Sequence, residues 1–450
     1  MMKKYELNMT GGSILRSIAL FSLPLILSSI LQLLFNAADV IVVGRFDGQE
    51  AMAAVGSTSS LINLLINVFI GYSAGASVVI SRCFGANDKK GIARAVSTSI
   101  ATAVIFGFGL MIAGFVLARR LLVLMDTPGD VIEGATQYMK IYFLGMPGFM
   151  LYNFGSSILR AVGDTKRPLV YLTVAGVVNV ILNLVFVICL KMGVAGVAVA
   201  TAVSQAVSAA CVIACLIKSE ESYRIDVKNI RIYSKEFKTM TKIGLPTGIQ
   251  GSMFSISNVI IQSAVNRFGS TIMAGSTAAS NIEGFVYAVL NGISQGMLTF
   301  TGQNYGAKKL SRIKKGLGTC IVLQIVVVFL ISAAVVVFAR PLLSIYSKKP
   351  AVIEAGVTRL TIICLTYFLC GLNETVMAFM RGLGYSLEPM IISVFAICVL
   401  RIIYVKTIFQ SIMTLDALFA SYPISWFIAF AVNGVLSIFV WKRVIKSFSA

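Results

Sequence analysis

Long apolar stretches dominate this chain and restrict the folds open to it. Residues 321 to 338, "IVLQIVVVFLISAAVVVF", contain no charged side chain, and about 20 such residues in a helix cross a bilayer of ~30 Å. In the whole sequence 57% of the residues are hydrophobic and 12% are charged, about half the charged fraction of an ordinary soluble protein. The sequence therefore predicts an all-α, polytopic membrane protein.

Twelve stretches are apolar enough and long enough to be membrane spans. They are residues 15–43, 52–80, 92–118, 131–158, 168–190, 194–217, 238–267, 273–301, 316–338, 351–380, 389–410 and 417–440. We expect the first span to be a membrane helix rather than a cleaved signal peptide, because Asn36 and Asp39 interrupt a region that would otherwise be uniformly apolar.

The two halves of the sequence are similar to each other. Residues 21–46 align with 243–268 at an offset of 222, and 131–169 align with 352–390 at an offset of 221, with matching proline, arginine and glycine positions. Each half contains six predicted spans, so both halves begin on the same side of the membrane. This predicts two six-helix bundles related by a pseudo-twofold axis along the membrane normal, an arrangement found in transporters.

Basic residues indicate the orientation of the chain. Of the 38 Lys and Arg residues, 26 fall in loops on the side that carries the termini, which predicts that both termini are cytoplasmic and that the protein lies in the cell membrane. The predicted organisation is an N-terminal bundle at 1–217, a basic cytoplasmic linker at 218–242 and a C-terminal bundle at 243–450. The linker holds seven basic and four acidic residues, so it is not a concentrated basic domain and we expect no nucleic-acid partner.

The residue types available exclude several kinds of chemistry. The sequence has no histidine and eight cysteines, none in a C-x-x-C pair, so neither a zinc cluster nor a histidine-based catalytic dyad is expected. No G-x-x-x-x-G-K-[ST] loop for ATP is present. We therefore predict a protein that is not an enzyme, needs no cofactor, and relies on carboxylates for any proton transfer.

One acidic residue lies deep in the first predicted span. Asp39 follows Asn36 on the same helical face, and a charge at membrane depth costs ~2.5–3.5 kcal/mol on insertion scales. An asparagine would suffice for hydrogen bonding between helices, whereas a carboxylate also holds a proton or a cation. We interpret Asp39 as the binding group for a coupling ion, H⁺ or Na⁺.

Other polar residues inside the spans are candidates for substrate binding. Glu283 and Glu374 are the other two acids well inside spans, and Glu374 occupies the position that Asn153 holds in the first half. The predicted substrate-binding residues are Glu283, Glu374, Tyr287, Asn258, Gln262 and Asn153. For the amides, interhelical hydrogen bonding worth ~0.6 kcal/mol each is an equal alternative.

Three further features are interpreted from position alone. Pro24 and Pro246, at equivalent places in spans 1 and 7, permit kinks that are either moving hinges or static bends. Gly71 and Gly75 are interpreted as close-packing sites. Arg401 could pair with a carboxylate, but we favour the alternative that its side chain extends to the outer membrane surface.

These residues resemble those of the multidrug and toxic compound extrusion (MATE) transporters over nearly the whole chain. The resemblance is carried by "LP" early in span 1 followed by "ADVIVVGRFDG", by "GQNYGA" (302–307), and by "LRAVGDTKRP" (159–168) with its echo "MRGLGYSLEP". It implies a V-shaped pair of six-helix bundles that exports organic cations and amphipathic compounds against inward flow of H⁺ or Na⁺. We expect such a protein to act as a monomer.

The resemblance also implies a cation site in the first bundle. An acid on span 1, an N-x-x-x-D pair on span 5 and a threonine on span 6 correspond here to Asp39, Asn179, Asn183 and Thr201. Asn183 departs from the pattern, which has an aspartate at that position. The site would then carry one carboxylate, and the sequence leaves Na⁺ and H⁺ both open.

A flippase for lipid-linked oligosaccharides, from the same superfamily, is the alternative. Its cavity would need basic residues for phosphates, whereas we expect the membrane-buried charges here to be chiefly acids. A major-facilitator carrier would have a G-x-x-x-D-R-x-G-R-R loop after span 2, where this chain reads "SRCFGANDKKG". A channel would not need paired bundles or a lone buried acid.

Overall fold

The computed structural model describes residues 6–46, 49–125, 127, 129 and 131–449, and this part of the chain consists of helices and short connections without a β-strand. The predicted all-α class is confirmed. The helices of the first half are α1 (Ile14–Phe46), α2 (Gln49–Gly85), α3 (Lys89–Leu124), α4 (Ile132–Leu144), α5 (Met146–Ala161), α6 (Lys166–Asn183) and α7 (Gly193–Lys218).

The second half contains more, shorter helices. They are α8 (Ser234–Asn266), α9 (Ser270–Gly306), α10 (Leu310–Leu323), α11 (Phe329–Val337), α12 (Ala339–Ser344), α13 (Pro350–Gly382), α14 (Leu387–Ser393), α15 (Leu400–Lys406), α16 (Ile408–Ile412) and α17 (Leu415–Ser449). Three π-helical segments interrupt the regular winding: Leu184–Cys189 after α6, Gln324–Val328 between α10 and α11, and Val394–Val399 between α14 and α15.

Every predicted span coincides with a helical stretch. Within the described residues, nine stretches are long and apolar enough to cross a membrane. The predicted spans 131–158, 238–267 and 273–301 are not among these nine. They fall on α4 and α5, which are separate helices of 13 and 16 residues, and on α8 and α9, whose sequences are rich in Ser, Thr, Asn and Gly.

Prolines lie at the start of two helices and inside three others. Pro147 and Pro350 occupy the first turns of α5 and α13, where a missing N–H removes no helical hydrogen bond. Pro24, Pro246 and Pro423 lie inside α1, α8 and α17, where each removes one hydrogen bond.

The helices pack into two compact units, each with its own core. The first unit comprises Met1–Asn8 and Leu27–Gly248, and the second comprises Met9–Ile26 and Ile249–Ala450. The boundaries therefore cut through α1 and α8, and each cut falls between the second and third residue after the helix's interior proline.

Glycines in the first unit bring the beginning of α8 against α2. A Cβ on Gly71 would lie 2.2 Å from the backbone nitrogen of Gly248, and one on Gly75 would lie 2.9 Å from the Cα of Gly244. Neither approach is possible with a larger residue, so the interpretation of Gly71 and Gly75 as close-packing sites is confirmed.

The second unit repeats this packing with the beginning of α1 against α9. A Cβ on Gly292 would lie 2.5 Å from Ile26 Cγ1, and one on Gly296 would lie 2.7 Å from Ser22 Oγ. Gly292 and Gly296 follow the α2 glycines at the repeat offset of 221. In both units, therefore, a pair of glycines one turn apart allows close packing against the beginning of a long helix: α8 in the first unit and α1 in the second.

A tight turn fixes the start of α6. Gly163 has a φ of +91°, a conformation that favours glycine, and the following Asp164 is fully buried. Its carboxylate accepts hydrogen bonds from the backbone N–H groups of Lys166 and Arg167, at 3.2 and 3.1 Å, and pairs with the Arg167 side chain. Burial raises the pKa of Asp164, while these bonds hold the first turn of α6 in place.

Candidate cation site in the first unit

Close packing of α1 on α6 sets the position of the predicted coupling acid. The ring of Phe35 lies against Gly176, so closely that a Cβ on this glycine would be 1.8 Å from Phe35 Cε2. Asp39 is one turn after Phe35 on α1, and Asn179 is about one turn after Gly176 on α6. The aromatic ring and the glycine thus bring the polar residues of the two helices together.

Four polar side chains from three helices form one connected group. Asn183 Nδ2 donates to Asp39 Oδ1 at 2.5 Å and to Asn179 Oδ1 at 3.2 Å. Asn179 Nδ2 in turn is 3.4 Å from Thr201 Oγ1 on α7. The four residues that the family resemblance implied are therefore adjacent in the structure.

This group contains oxygen acceptors that are available to bind a cation or a proton. Asp39 is half-buried, while Asn179 and Asn183 are 5% and 1% exposed. Within the described part of the chain Asp39 forms no ion pair. The Oδ1 atom of Asn183 is buried and, among these residues, has no donor. A buried acceptor beside an unpaired carboxylate is an arrangement that a proton or small cation would stabilise.

The set of oxygens suits a hard cation rather than a transition metal. It combines a carboxylate, two amide oxygens and a hydroxyl, and hard cations prefer such ligands. No cluster of three Cys, Asp or Glu residues suited to a metal ion occurs among the described residues. Asn36 is exposed and does not belong to the connected group.

Glu283, predicted to bind substrate, forms a two-point ion pair in the second unit. Its carboxylate accepts from Arg359 Nε at 2.8 Å and from Nη2 at 2.9 Å, and Arg359 Nη1 donates to Ser276 Oγ at 2.7 Å. Both partners are almost fully buried, with 8% and 6% of the side chain exposed. Sequence reasoning overlooked Arg359, although a lone arginine in the apolar span 351–380 was a visible signal.

Arg401 is also buried, and its predicted extension to the outer surface is wrong. The residue is 3% exposed. Its guanidinium lies over the Tyr422 ring, 4.2 Å from the centroid, and Nη2 donates to Ser425 Oγ at 2.8 Å. With Arg359 and Arg401 both inside the second unit, the expectation that the membrane-buried charges are chiefly acids is wrong as well.

The remaining predicted substrate residues are distributed over both units. Glu374 is half-buried, and it is near enough to the exposed Tyr287 to interact with it electrostatically. Gln262 donates to Asn266 Oδ1 at 3.0 Å on the same helix, and Asn258 is exposed. These four residues belong to the second unit.

Asn153 lies in the first unit, where it donates to the Phe149 carbonyl at 2.9 Å within α5. This bond, like the one from Gln262, is internal to one helix. The hydrogen bonds between helices that sequence reasoning missed include Asn433 Nδ2 to Asn373 Oδ1 and to Ser393 Oγ, both 2.9 Å.

Known proteins are similar to this chain in sequence and in fold. The protein “Probable multidrug resistance protein YoeA” of Bacillus subtilis (strain 168) is 29% identical over 445 residues, covering 96% of this chain and 95% of its own length. “Probable multidrug resistance protein YpnP” of the same organism is 27% identical over 404 residues, 89% of each chain. The structure described as “Crystal structure of MATE in complex with MaL6” superposes with a TM-score of 0.91 at 22% identity, covering 98% of this chain and 99% of that one, which establishes the fold.

A family model described as MatE matches this chain twice, at residues 24–185 and 246–406. The two matches begin 222 residues apart and end 221 apart, which are the offsets of the internal repeat. Because the matches cover more than half of the sequence, the chain belongs to the multidrug and toxic compound extrusion (MatE) family of membrane transporters.

Proposed function

We propose that this protein is a cation-coupled antiporter that exports organic cations and amphipathic drugs, with H⁺ or Na⁺ bound at Asp39. The observation that carries the proposal is the connected group of Asp39, Asn179, Asn183 and Thr201. In this group, and counting only the described residues, a carboxylate without an ion-pair partner lies beside a buried amide oxygen that has no donor. The printed names of the relatives, multidrug resistance proteins, support the same activity.

The chemistry of the site accounts for ion binding without a dedicated cofactor. A sodium ion would be held by the Asp39 carboxylate, the Oδ1 atoms of Asn179 and Asn183, and Thr201 Oγ1, after the amides turn their oxygens inward. A proton would be held by Asp39 alone. In either case the bound ion neutralises the carboxylate, which lowers the unfavourable free energy of a charge at membrane depth.

Coupling follows if ion binding favours one state of an alternating-access cycle. We propose twelve membrane helices in two parallel six-helix bundles, 1–217 and 243–450, joined by the 218–242 linker, with both termini cytoplasmic. Pro24 and Pro246 are proposed as hinges. The change of packing unit just after each proline supports this role, since that is where α1 and α8 exchange one set of neighbours for another.

The substrate would be recognised chiefly by polar groups that form no ion pair among the described residues. Glu374 with Tyr287, Asn258, Gln262 and Asn153 remain the proposed binding residues. Glu283 is proposed to bind only those cationic substrates that can displace the Arg359 guanidinium from its carboxylate. The substrates are small cations and amphipaths, and the working form is a monomer in the lipid bilayer.

Buried Arg401 keeps the flippase alternative as a second candidate. A transporter of lipid-linked oligosaccharides needs a cationic group for phosphates, and this guanidinium has no carboxylate partner among the described residues. Dye export driven by an ion gradient favours the antiporter, whereas translocation of a labelled phospholipid-linked sugar without dye export would favour the flippase.

The test is dye efflux in proteoliposomes under an imposed Na⁺ or H⁺ gradient. We expect Asp39→Asn to abolish gradient-driven efflux while the protein inserts and elutes as the parent does. Glu133→Gln is the matched control, because Glu133 is an exposed acid at the start of α4 in the same unit. Full coupled efflux in the Asp39 variant would rule out the assigned ion site.

A further inference from the structure

The second unit contains a buried guanidinium that forms an ion pair with no carboxylate in the described part of the chain. Arg401 makes one side-chain hydrogen bond, to Ser425, and its buried Nε has no acceptor among the described residues. The other buried arginine of this unit, Arg359, is satisfied by Glu283 and Ser276. A buried charge without a partner is strongly unfavourable unless a counter-charge reaches it. Arg401 is therefore a group that an anion would stabilise.

A cavity of about 220 Å³ lies beside this arginine. Arg401, Ser421 and Ser425 are among its lining residues, but all three are nearly fully buried, and the wall that faces the cavity is almost entirely apolar. Ile403 and Ile424, which also line it, are 50% and 45% exposed, so the cavity opens on the apolar outer surface of the unit. A cation beside an aliphatic groove matches a molecule with an anionic head group and an apolar chain.

The internal repeat allows the surroundings of Arg401 to be compared with the ion site of the first half. Tyr422, whose ring lies over Arg401, follows Thr201 by 221 residues, and Ile261 follows Asp39 by 222. The second unit thus has an isoleucine where the first has its carboxylate, and it has an arginine in the neighbouring helix. The equivalents of the four ion-site residues, Ile261, Leu400, Tyr404 and Tyr422, are all uncharged, and Arg401 is the residue directly after one of them.

We propose that the cavity beside Arg401 binds the anionic head group, a phosphate or carboxylate, of an amphipath whose apolar chain lies along Ile403 and Ile424. The site is separate from the ion site at Asp39, and its test measures binding rather than transport. Both a bilayer phospholipid and a free single-chain amphipath present this chemistry. On the proposed orientation the cavity faces the outer leaflet, because it includes Thr407 at the external connection between α15 and α16.

A tryptophan in contact with Tyr422, the residue whose ring lies over Arg401, supplies the reporter. The sequence has two tryptophans, and the Trp426 ring lies 5.5 Å from that of Tyr422. Full-length Trp441→Phe protein in phosphatidylcholine nanodiscs leaves Trp426 as the only reporter. It would be titrated separately with bromine-labelled phosphatidylglycerol, bromine-labelled dodecyl phosphate and, as the neutral reference, bromine-labelled phosphatidylcholine.

We expect saturable quenching by at least one anionic probe and only weak, unsaturated quenching by the neutral lipid. Quenching by phosphatidylglycerol identifies the source as the bilayer, and quenching by dodecyl phosphate alone identifies a free amphipath. Equal quenching by all three probes would overturn the proposal.

Variants on the Trp441→Phe background locate the binding. Arg401→Gln should weaken it by about tenfold or more, the effect of losing a charged hydrogen-bond donor. Lys406→Gln removes the same charge from an exposed position on the same helix and should leave binding unchanged. Ser421→Leu reduces the volume of the cavity but keeps the arginine, and it should also weaken binding. This variant tests the site if Arg401→Gln fails to fold. Unchanged affinity in a folded Arg401 or Ser421 variant would refute the site.

Discussion

Replacing Glu283 by glutamine isolates the contribution of the buried ion pair in the second unit. The substitution keeps the shape of the side chain but removes its negative charge and one of the two oxygens that accept from Arg359, which leaves this buried guanidinium without a counter-charge among the described residues. Only 6% of the Arg359 side chain and 8% of the Glu283 side chain are exposed, so water cannot replace the lost carboxylate. Removing one partner of a buried pair costs ~3–5 kcal/mol, and we expect the free energy of unfolding to fall by that amount.

An exposed pair in the same unit supplies a matched control. Arg340 and Glu354 also approach to 2.8 Å, but 69% and 54% of their side chains are exposed. Exposed pairs contribute only ~0–1 kcal/mol, so Glu354→Gln should have little effect. The assay is unfolding of the purified protein in mixed micelles titrated with sodium dodecyl sulfate, followed by circular dichroism.

A double variant separates the cost of an unpaired charge from the value of the pair. Replacing Glu283 and Arg359 together by methionine removes both charges, and such exchanges are often neutral or stabilising by ~1–4 kcal/mol. The double variant should then be more stable than Glu283→Gln alone. If Glu283→Gln and Glu354→Gln lower stability equally, the reasoning from burial is refuted.

Two further predictions concern the ion site. Gly176→Ala should lower the free energy of unfolding by ~1–3 kcal/mol through overpacking against Phe35, and it should reduce coupled dye efflux. The control is Gly109→Ala, whose new methyl group meets no described atom within 4 Å and should leave efflux unchanged. Equal efflux in both variants would contradict the packing argument. Asn183→Asp places a second carboxylate beside Asp39, and two such groups cannot both ionise without a cation between them. The affinity for Na⁺, measured by isothermal titration calorimetry, should therefore rise by about tenfold, which is ~1.4 kcal/mol of binding free energy. An unchanged affinity would indicate that Na⁺ does not bind at this position.

The helical class was predictable from the sequence because it depends on local properties. Runs of apolar residues fix the helices, and prolines and glycines fix many of their ends. Less local features were not predicted. The separation of α4 from α5 near Gly145, the π-helical segments within three spans and the change of packing unit inside α1 and α8 depend on packing between helices, which hydropathy does not encode.

The candidate ion site was predictable to the extent that the family resemblance named its residues. Spacing alone placed Asn36 on the face of Asp39, yet the structure connects Asp39 to Asn183 and leaves Asn36 exposed. The reason is that Phe35 packs against Gly176, which brings α6 to the side of α1 that carries Asp39. Residues on one helical face are spread over several turns, and a neighbouring helix contacts only some of those turns.

Charges in the second unit show why a carboxylate in a span cannot be assigned a role by its depth alone. Glu283 and Arg359 are 76 residues apart in the sequence, and neither predicts the other, because pairing across helices has no periodic signature. The glycine contacts at Gly71 and Gly292 occupy equivalent places in the two repeats, so the common scaffold requires those residues in both halves. Nothing in that scaffold requires the polar residues to match, and only the first half has a lone carboxylate at the equivalent place. The repeat therefore specifies where a site can form, and the side chains that differ between the halves determine which ion or head group it can bind.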